Sequence, residues 1–393
     1  IPRHNMPYRP VFDLPTGLLF LLGLMLSLWR AHQRWEYALL SIYWLTMLTP
    51  TILAEDAPHF LRAVGVLPVL FAFPAIGLNA VWEALRAQTS QRIASLVVIV
   101  LVATSLAITV NDYFLRHVRS ETVYYHFESG ATELASDINR FVGTGWYLGS
   151  GARVLSTSAL SGRRVYLDER LWRDWASLRY LVPQTPNLVL LGSAPSPPLP
   201  GEAVRLVVWP YAEYRPHLAL LPVGSLISAR PGPWERGDLD PDARLLCIIY
   251  EAEPTSQVPT NLQAHFEKGI ELLGYELSCE SAVLHLRLFW RAESSLDTDY
   301  TVFAHLKQGE QMVAQSDAYP ARGYYPTHLW RPGDIIADDH LLTPLPGQCQ
   351  SCLLMVGLYD LRTMARLQVL DEHDQPRADA LIIPVPEGAP ATY

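Results

Sequence analysis

The sequence predicts a multidomain chain: an α-helical transmembrane segment, then a small α/β domain, then an antiparallel β-sandwich. Three observations carry this reading. Long apolar runs crowd into residues 1–112. Strand-like and helix-like patterns alternate over 113–230. After 245 the apolar residues recur with period two between frequent turn signals. The 393 residues exceed one ordinary core. Half of them are hydrophobic and 18% are charged, apolar for a soluble protein but not for a chain lying wholly in lipid. A split architecture accounts for both numbers. Between Leu61 and Leu85 the only charged residues are Arg62 and Glu83. A net charge of −9 argues against nucleic acid as a partner, which would require a basic surface.

Four stretches approach the roughly 20 apolar residues that a bilayer span requires. They are Leu14 to Trp29, Tyr37 to Ala54 with Pro50 near its end, Ala63 to Trp82 with Pro68 and Pro74 inside, and the uncharged run Ile93 to Val110. Prolines are tolerated there because neighbouring groups re-satisfy the freed carbonyls. Arg30 and Arg34 follow the first run, and Arg86 and Arg92 lie between the third and fourth. By the positive-inside rule those loops are cytoplasmic, so 55–62 and everything after Asn111 face outward. The expected location is therefore the cell membrane, multi-pass, with the C-terminal domains outside the cytoplasm. No signal peptide is visible.

In the α/β part, Ala131 to Phe141 and Glu169 to Leu181 have helical spacing. Arg153 to Ser156, Arg164 to Leu167, Asn187 to Leu191 and Ala203 to Val208 read as strands. Pro231–Gly232–Pro233 opens a linker over 231–244. Beyond it, Leu284, Leu286, Leu288 and Trp290 share one strand face, opposite His285, Arg287 and Phe289. Tyr300 to Leu306, Cys352 to Tyr359 and Ala380 to Val385 are further strands of the sandwich, 245–393.

Several segments then take on a family look. Glu55–Asp56–Ala57–Pro58–His59–Phe60–Leu61–Arg62, followed by Gly65, Pro68 and Ala75–Ile76–Gly77, resembles the late membrane region of bacterial family 39 glycosyltransferases. So does Tyr8–Arg9–Pro10 before an apolar helix. The soluble part resembles the extension of some of these proteins at Arg164–Val165–Tyr166–Leu167–Asp168, Leu272–Leu273–Gly274–Tyr275, Asp299–Tyr300–Thr301–Val302–Phe303, Tyr325–Pro326–Thr327 and Gly357–Leu358–Tyr359–Asp360. The family is similar to protein O-mannosyltransferases and the lipid A aminoarabinose transferase, within the C-type superfamily. The resemblance implies a polyprenyl-phosphate-linked sugar as donor substrate, a glycan, lipid or protein acceptor, the lipid bilayer as surroundings, and no other evident cofactor. In this superfamily the catalytic acid lies in the first external loop of a longer helical array. The sequence is accordingly expected to be the C-terminal portion of such an enzyme, with its catalytic residue upstream and unassigned here.

The candidate substrate-binding residues are Glu55, Asp56, His59 and Arg62. Arg62 and His59 would pair with the donor phosphate, to which a guanidinium presents a matched fork. Glu55 and Asp56 would contact the sugar or position an acceptor. The plainer alternative is that the acids cap the next helix and Arg62 snorkels to headgroups. Gly143, Gly145, Gly149 and Gly151 sit between a helix and a strand, the wrong order for a phosphate loop, and read as a flexible connection. Cys349 and Cys352 form a C-x-x-C without a thioredoxin-like setting. A structural disulfide suits an extracytoplasmic domain, and pairing among Cys247, Cys279, Cys349 and Cys352 stays open. His285, His305, Asp317 and Asp338 admit a metal site, with solvent-facing polar positions as the alternative. Trp330, Tyr324 and Tyr325 would either stack on sugar rings or belong to the core. Against the enzyme stands a different class of function: a non-catalytic, membrane-tethered sandwich that binds glycan or protein.

Overall fold

The computed structural model describes residues 9–53, 60–149, 162–192, 195–237, 240–255, 258–259, 262–280, 283–343 and 352–385. The chain divides into two compact units, Ile1–Phe127 and Glu128–Tyr393. The first is helical and the second is rich in strands.

The helical unit runs α1 (Leu14–Arg30), α2 (Trp35–Ile52), α3 (Leu67–Leu70), α4 (Ala72–Gln88), α5 (Gln91–Val110) and α6 (Glu121–His126). A 3-10 segment at Phe60–Val66 leads into α3, and a π-helical stretch at Asn111–His117 prolongs α5. Helices thus stand at all four apolar runs. Two of them, Ala63–Gln88 and Gln91–His117, are long and apolar enough to cross a membrane. With 17 residues, α1 reaches about 26 Å, short of a hydrocarbon core of about 30 Å. α2 has 18 residues but carries Glu36, Tyr37, Tyr43 and three threonines. Asp13 caps α1 by accepting from the Thr16 amide, and Ser90 caps α5 through Ile93. The soluble part was expected from Tyr113. The helix instead continues to His117, with Val118 N–H reaching back five residues to Tyr113 O.

Small residues bring α1 and α4 together. Gly23 packs on the Phe73 carbonyl and Gly77 on the Leu19 carbonyl, so a methyl at either would overlap backbone oxygen. Such close approach is the usual way for apolar helices to associate without a hydrophobic driving force between them. Phe20, Trp44 and Phe73 interlock beside this crossing.

The second unit begins with α7 (Ser129–Val142), β1 (Arg163–Asp168), α8 (Glu169–Asp174), α9 (Ala176–Leu181), β2 (Leu188–Leu191) and β3 (Ala203–Val208). Then follow β4 (Leu226–Pro231), β5 (Trp234–Glu235), β6 (Arg244–Leu245), β7 (Ile248–Glu253), β8 (Ala264–Phe266), β9 (Ile270–Glu280) and β10 (Val283–Ala292). The last are β11 (Tyr300–Gln308), β12 (Gln311–Ala318), β13 (Ile335–Leu342), β14 (Leu353–Asp360), β15 (Val369–Leu370), β16 (Pro376–Ala378) and β17 (Leu381–Pro384). One sheet of eleven strands has the order β16-β15-β8-β9-β10-β13-β4-β7-β3-β1-β2, and a second is β12-β11-β14-β17. Strands β2, β1 and β3 are parallel. β8, β9, β10 and β13 are antiparallel, as is the whole second sheet.

The core is set by alternation. Leu284, Leu286, Leu288 and Trp290 of β10 are buried, and they join Val302, Ala304, Leu306, Leu354, Val356 and Leu358 of the second sheet in one cluster. On the other face of β10 Arg287 is exposed, while Phe289 is buried with Leu273 and Ala337 rather than solvated. A separate cluster joins Leu134, Ile138 and Phe141 of α7 to Val165, Leu167, Leu171 and Val207. The expected helix 169–181 is two short ones, because Trp175 takes an extended backbone and ends α8. Arg153 to Ser156 lies outside the described residues, as does Gly151. Gly143 closes α7 with a left-handed φ of 77°, and Gly145 and Gly149 share that conformation.

Residues 231–244 do not separate two sheets. Gly232 N–H donates to Cys247 O and Leu246 N–H to Pro233 O, both at 2.8 Å, so the segment leads into the β5–β6 hairpin. β4 before it pairs with β7 after it, and β7 also pairs with β3. Only by this pairing are the amides of these central strands satisfied away from water. The seam between β4 and β13 is fastened by a buried ion pair. Arg331 Nε donates to Asp334 at 2.7 Å, and Asp334 is fully buried. Asp334 also accepts from Gly224 N–H at 2.8 Å, while Arg331 donates to Leu221 O at 2.9 Å.

Two outcomes are expected. Gly23→Ala or Gly77→Ala lowers the thermal midpoint of the detergent-solubilised chain, whereas Gly17→Ala, which meets only Phe12 at 3.9 Å, does not. Asp334→Ala strands Arg331 and costs about 3–5 kcal/mol, read by denaturant unfolding of the strand-rich unit within the full chain.

Candidate functional site

Glu55, Asp56 and His59 lie outside the described residues. Arg62 falls within the 3-10 segment Phe60–Val66, of which the backbone is described. α1 and α2 form a hairpin through 31–34, with Arg30 donating to Tyr37 O–H at 3.4 Å. The chain therefore returns along α2 to the end at which α1 begins.

A polar network occupies the same end. Arg9 Nε donates to Asp112 at 2.9 Å, and Arg116 approaches the same carboxylate at 3.4 Å. Asp13 accepts from Thr16 N–H at 3.0 Å and from Ser105 O–H at 2.6 Å, and the Thr16 and Ser105 hydroxyls are 2.9 Å apart. Partly buried polar groups at a helix end satisfy one another in this way because lipid offers them no partners. The network fixes the start of α1 against the end of α5 and combines guanidinium and carboxylate groups there.

In the second unit the four residues considered for a metal do not converge. His305 shares a 2.8 Å hydrogen bond with Asp317, and Tyr359 O–H donates to Asp317 at 3.4 Å. His285 stands on the opposite strand face from the core, across from Leu341. Asp338 points inward and meets His340, a residue the sequence reading passed over. Among the described residues a different trio brings ligand atoms within 4.8 Å of one another: His265, Glu271 and Glu293. There the buried Glu271 is already paired with Arg291 at 2.9 Å. Trp330 and Tyr325 are 2% and 1% exposed, and Trp330 Nε1–H donates to Tyr325 O at 3.0 Å, so they are core residues and not a sugar platform. Tyr324 is half-buried against the same cluster. Cys352 is disulfide-bonded, whereas Cys247 and Cys279 are free thiols. Cys349 lies outside the described residues.

Asp338, His340 and Ser316 form a line between the two sheets. His340 Nε2 bonds Asp338 at 2.9 Å, and its Nδ1 bonds Ser316 Oγ at 3.0 Å. The other Asp338 oxygen accepts from Ala321 N–H at 2.9 Å. Serine, histidine and aspartate in a row invite comparison with a nucleophilic triad. His340 and Asp338 are 2% and 1% exposed, inside the apolar cluster, with no room for a carbonyl substrate. The line is better suited to tying β12 to β13 across the core. Burial opposes charging His340, but the adjacent Asp338 carboxylate, with Asp339 and Asp317 beyond it, outweighs burial and raises its pKa.

Sequence reasoning also missed an aromatic cluster at the end of the parallel strands. Trp175 and Trp209 have ring centroids 5.4 Å apart, and Trp209 and Tyr211 5.2 Å. The available signal was Trp209–Pro210–Tyr211 directly after an apolar strand.

Comparison with protein-family models, with curated proteins and with solved structures finds no match to this chain.

A group held charged by folding stabilises the fold while it is protonated. The His340 contribution is therefore complete below the ordinary imidazole range near 6.5 and is lost as pH rises through its higher folded value. The thermal midpoint of the chain should fall as pH is raised above 6.5, and His340→Gln should flatten that slope. Calorimetry at stepped pH checks both.

Proposed function

We propose that this chain is the C-terminal portion of a membrane glycosyltransferase that uses a polyprenyl-phosphate sugar and passes a hexose or pentose to an extracytoplasmic acceptor. The observation that carries the reading is the family 39 resemblance of 55–77. Support also comes from the two helices long and apolar enough to cross a membrane. In this reading the protein is multi-pass in the cell membrane, with an α/β layer and a sandwich, fused through one sheet, outside the cytoplasm. Arg62 and His59 hold the donor phosphate, and Glu55 and Asp56 face the sugar. The catalytic acid lies elsewhere in the enzyme.

A second reading has its own observation. Among the described residues the strand-rich unit has a filled core, and its buried His340–Asp338 pair is enclosed rather than open to substrate. That favours a tethered module that binds glycan or protein without catalysis.

Two measurements decide. Arg62→Ala in the full-length enzyme should weaken binding of a polyprenyl-phosphate sugar about tenfold or more, the effect of losing a charge-assisted pair; unchanged affinity and turnover would remove the donor-site assignment. Tyr180, 88% exposed, reports topology. In intact cells Tyr180→Cys should react with a membrane-impermeant maleimide, and protection until lysis would reverse the orientation.

A further inference from the structure

Near one edge of the long sheet, three metal-ligating side chains come together from separate pieces of chain. His265 of β8 and Glu271 of β9 are directly opposed partners, so they stand on the same face of that hairpin. Glu271 is in turn the partner of Arg291 in β10. Glu293 follows just past β10, where its N–H donates to Gly269 O at 2.9 Å in the turn between β8 and β9. Gly269 has a left-handed φ of 67°, and a methyl on it would lie 3.5 Å from the Glu293 carboxylate. Glu293 therefore folds over this turn, toward the other two.

One ligand atom from each of the three lies within 4.8 Å of the others. His265 and Glu293 are exposed, and neither side chain has a hydrogen bond or ion pair among the described residues. Glu271 is 3% exposed. Arg291 holds it through Nε at 2.9 Å and also through Nη2, but both bonds fall on Oε2. Oε1 has no partner among the described residues and is not sealed from solvent. A carboxylate so nearly buried rarely leaves an oxygen without a partner. Charge points the same way, because two carboxylates face one guanidinium and one negative charge is left over. A bound cation answers both.

We propose that His265, Glu271 and Glu293 bind a divalent transition-metal ion, with Zn²⁺ the best match. Imidazole suits zinc and its neighbours, whereas Mg²⁺ and Ca²⁺ prefer oxygen ligands alone. Zinc holds its ligands at about 2.0–2.2 Å, so any two of them stand at most about 4.2 Å apart. Closing 4.8 Å to that span takes small side-chain rotations, which exposed His265 and Glu293 can make while Glu271 stays fixed by Arg291. Three protein ligands leave a further position for water. The ion would pin β8, three residues long and joined to β15 by a single residue pair, to β9 and the end of β10. The site is independent of the glycosyltransferase reading.

The test is calorimetric titration of the purified, metal-stripped full chain in detergent with zinc chloride, and in parallel with magnesium chloride and calcium chloride. Zn²⁺ should bind and raise the thermal midpoint, because an ion held only by the folded chain stabilises it. His265→Ala and Glu293→Gln should each weaken zinc binding about tenfold or more, the effect of losing one of three protein ligands. His285→Ala, toward the other end of β10, should not. Both ligand variants alter exposed side chains, so the fold survives them, and unchanged thermal midpoints in the absence of metal verify this. The proposal is overturned if Zn²⁺ does not bind, if Mg²⁺ or Ca²⁺ binds as tightly, or if either ligand variant binds zinc as well as the parent chain does.

Discussion

The buried Arg331–Asp334 pair is the constraint on which the strand-rich unit depends. Asp334 is fully buried, and its charge is balanced by one guanidinium and the Gly224 amide. Through Leu221 O the same guanidinium holds the segment leading into β4, and Ile335 N–H bonds Ser225 O at the first step of β13. Were this seam open, β4 would lose its β13 partner and the long sheet would divide between β13 and β4. A buried pair of this kind adds little net stability compared with apolar packing, but breaking it is costly, so it specifies where the strands join.

From that seam the rest follows in both directions. On one side β4, β7 and β3 pair antiparallel, β3, β1 and β2 then run parallel, and α7 packs on this part of the sheet. There Arg205 pairs with Glu251 at 3.0 Å and Asp137 at 3.2 Å while covering the Phe141 ring. Toward β10 and β9 it stays antiparallel and closes on the second sheet. The His340 line crosses that interior as a polar tie that weakens as pH rises. Among the described residues the core of this frame is packed and closed.

Local chemistry was enough for much of this. All four apolar runs are helical because nothing but a helix satisfies a backbone in so apolar a stretch. β10 was legible to the residue, since Leu284, Leu286, Leu288 and Trp290 leave no other face to bury. Phe289 stands on the opposite face as its parity requires, but the second apolar cluster that buries it there is invisible to a period-two rule. For Trp330 and Tyr325 composition allowed either a ring platform or the core, and their neighbours in space, Tyr250 and the inter-sheet cluster, make them core.

By itself the sequence determined the order of materials: apolar helices, then α/β alternation, then strands of period two. Periodicity and hydropathy are local, and they survive without knowledge of partners. The tertiary structure alone decided that 231–244 is a hairpin and not a divider, that His340 rather than His285 meets Asp338, and that Trp175, Trp209 and Tyr211 stand together. Each of these depends on hydrogen bonds or ring contacts between residues far apart in the chain. Their formation is set by strand order and register, which no short window of residues encodes.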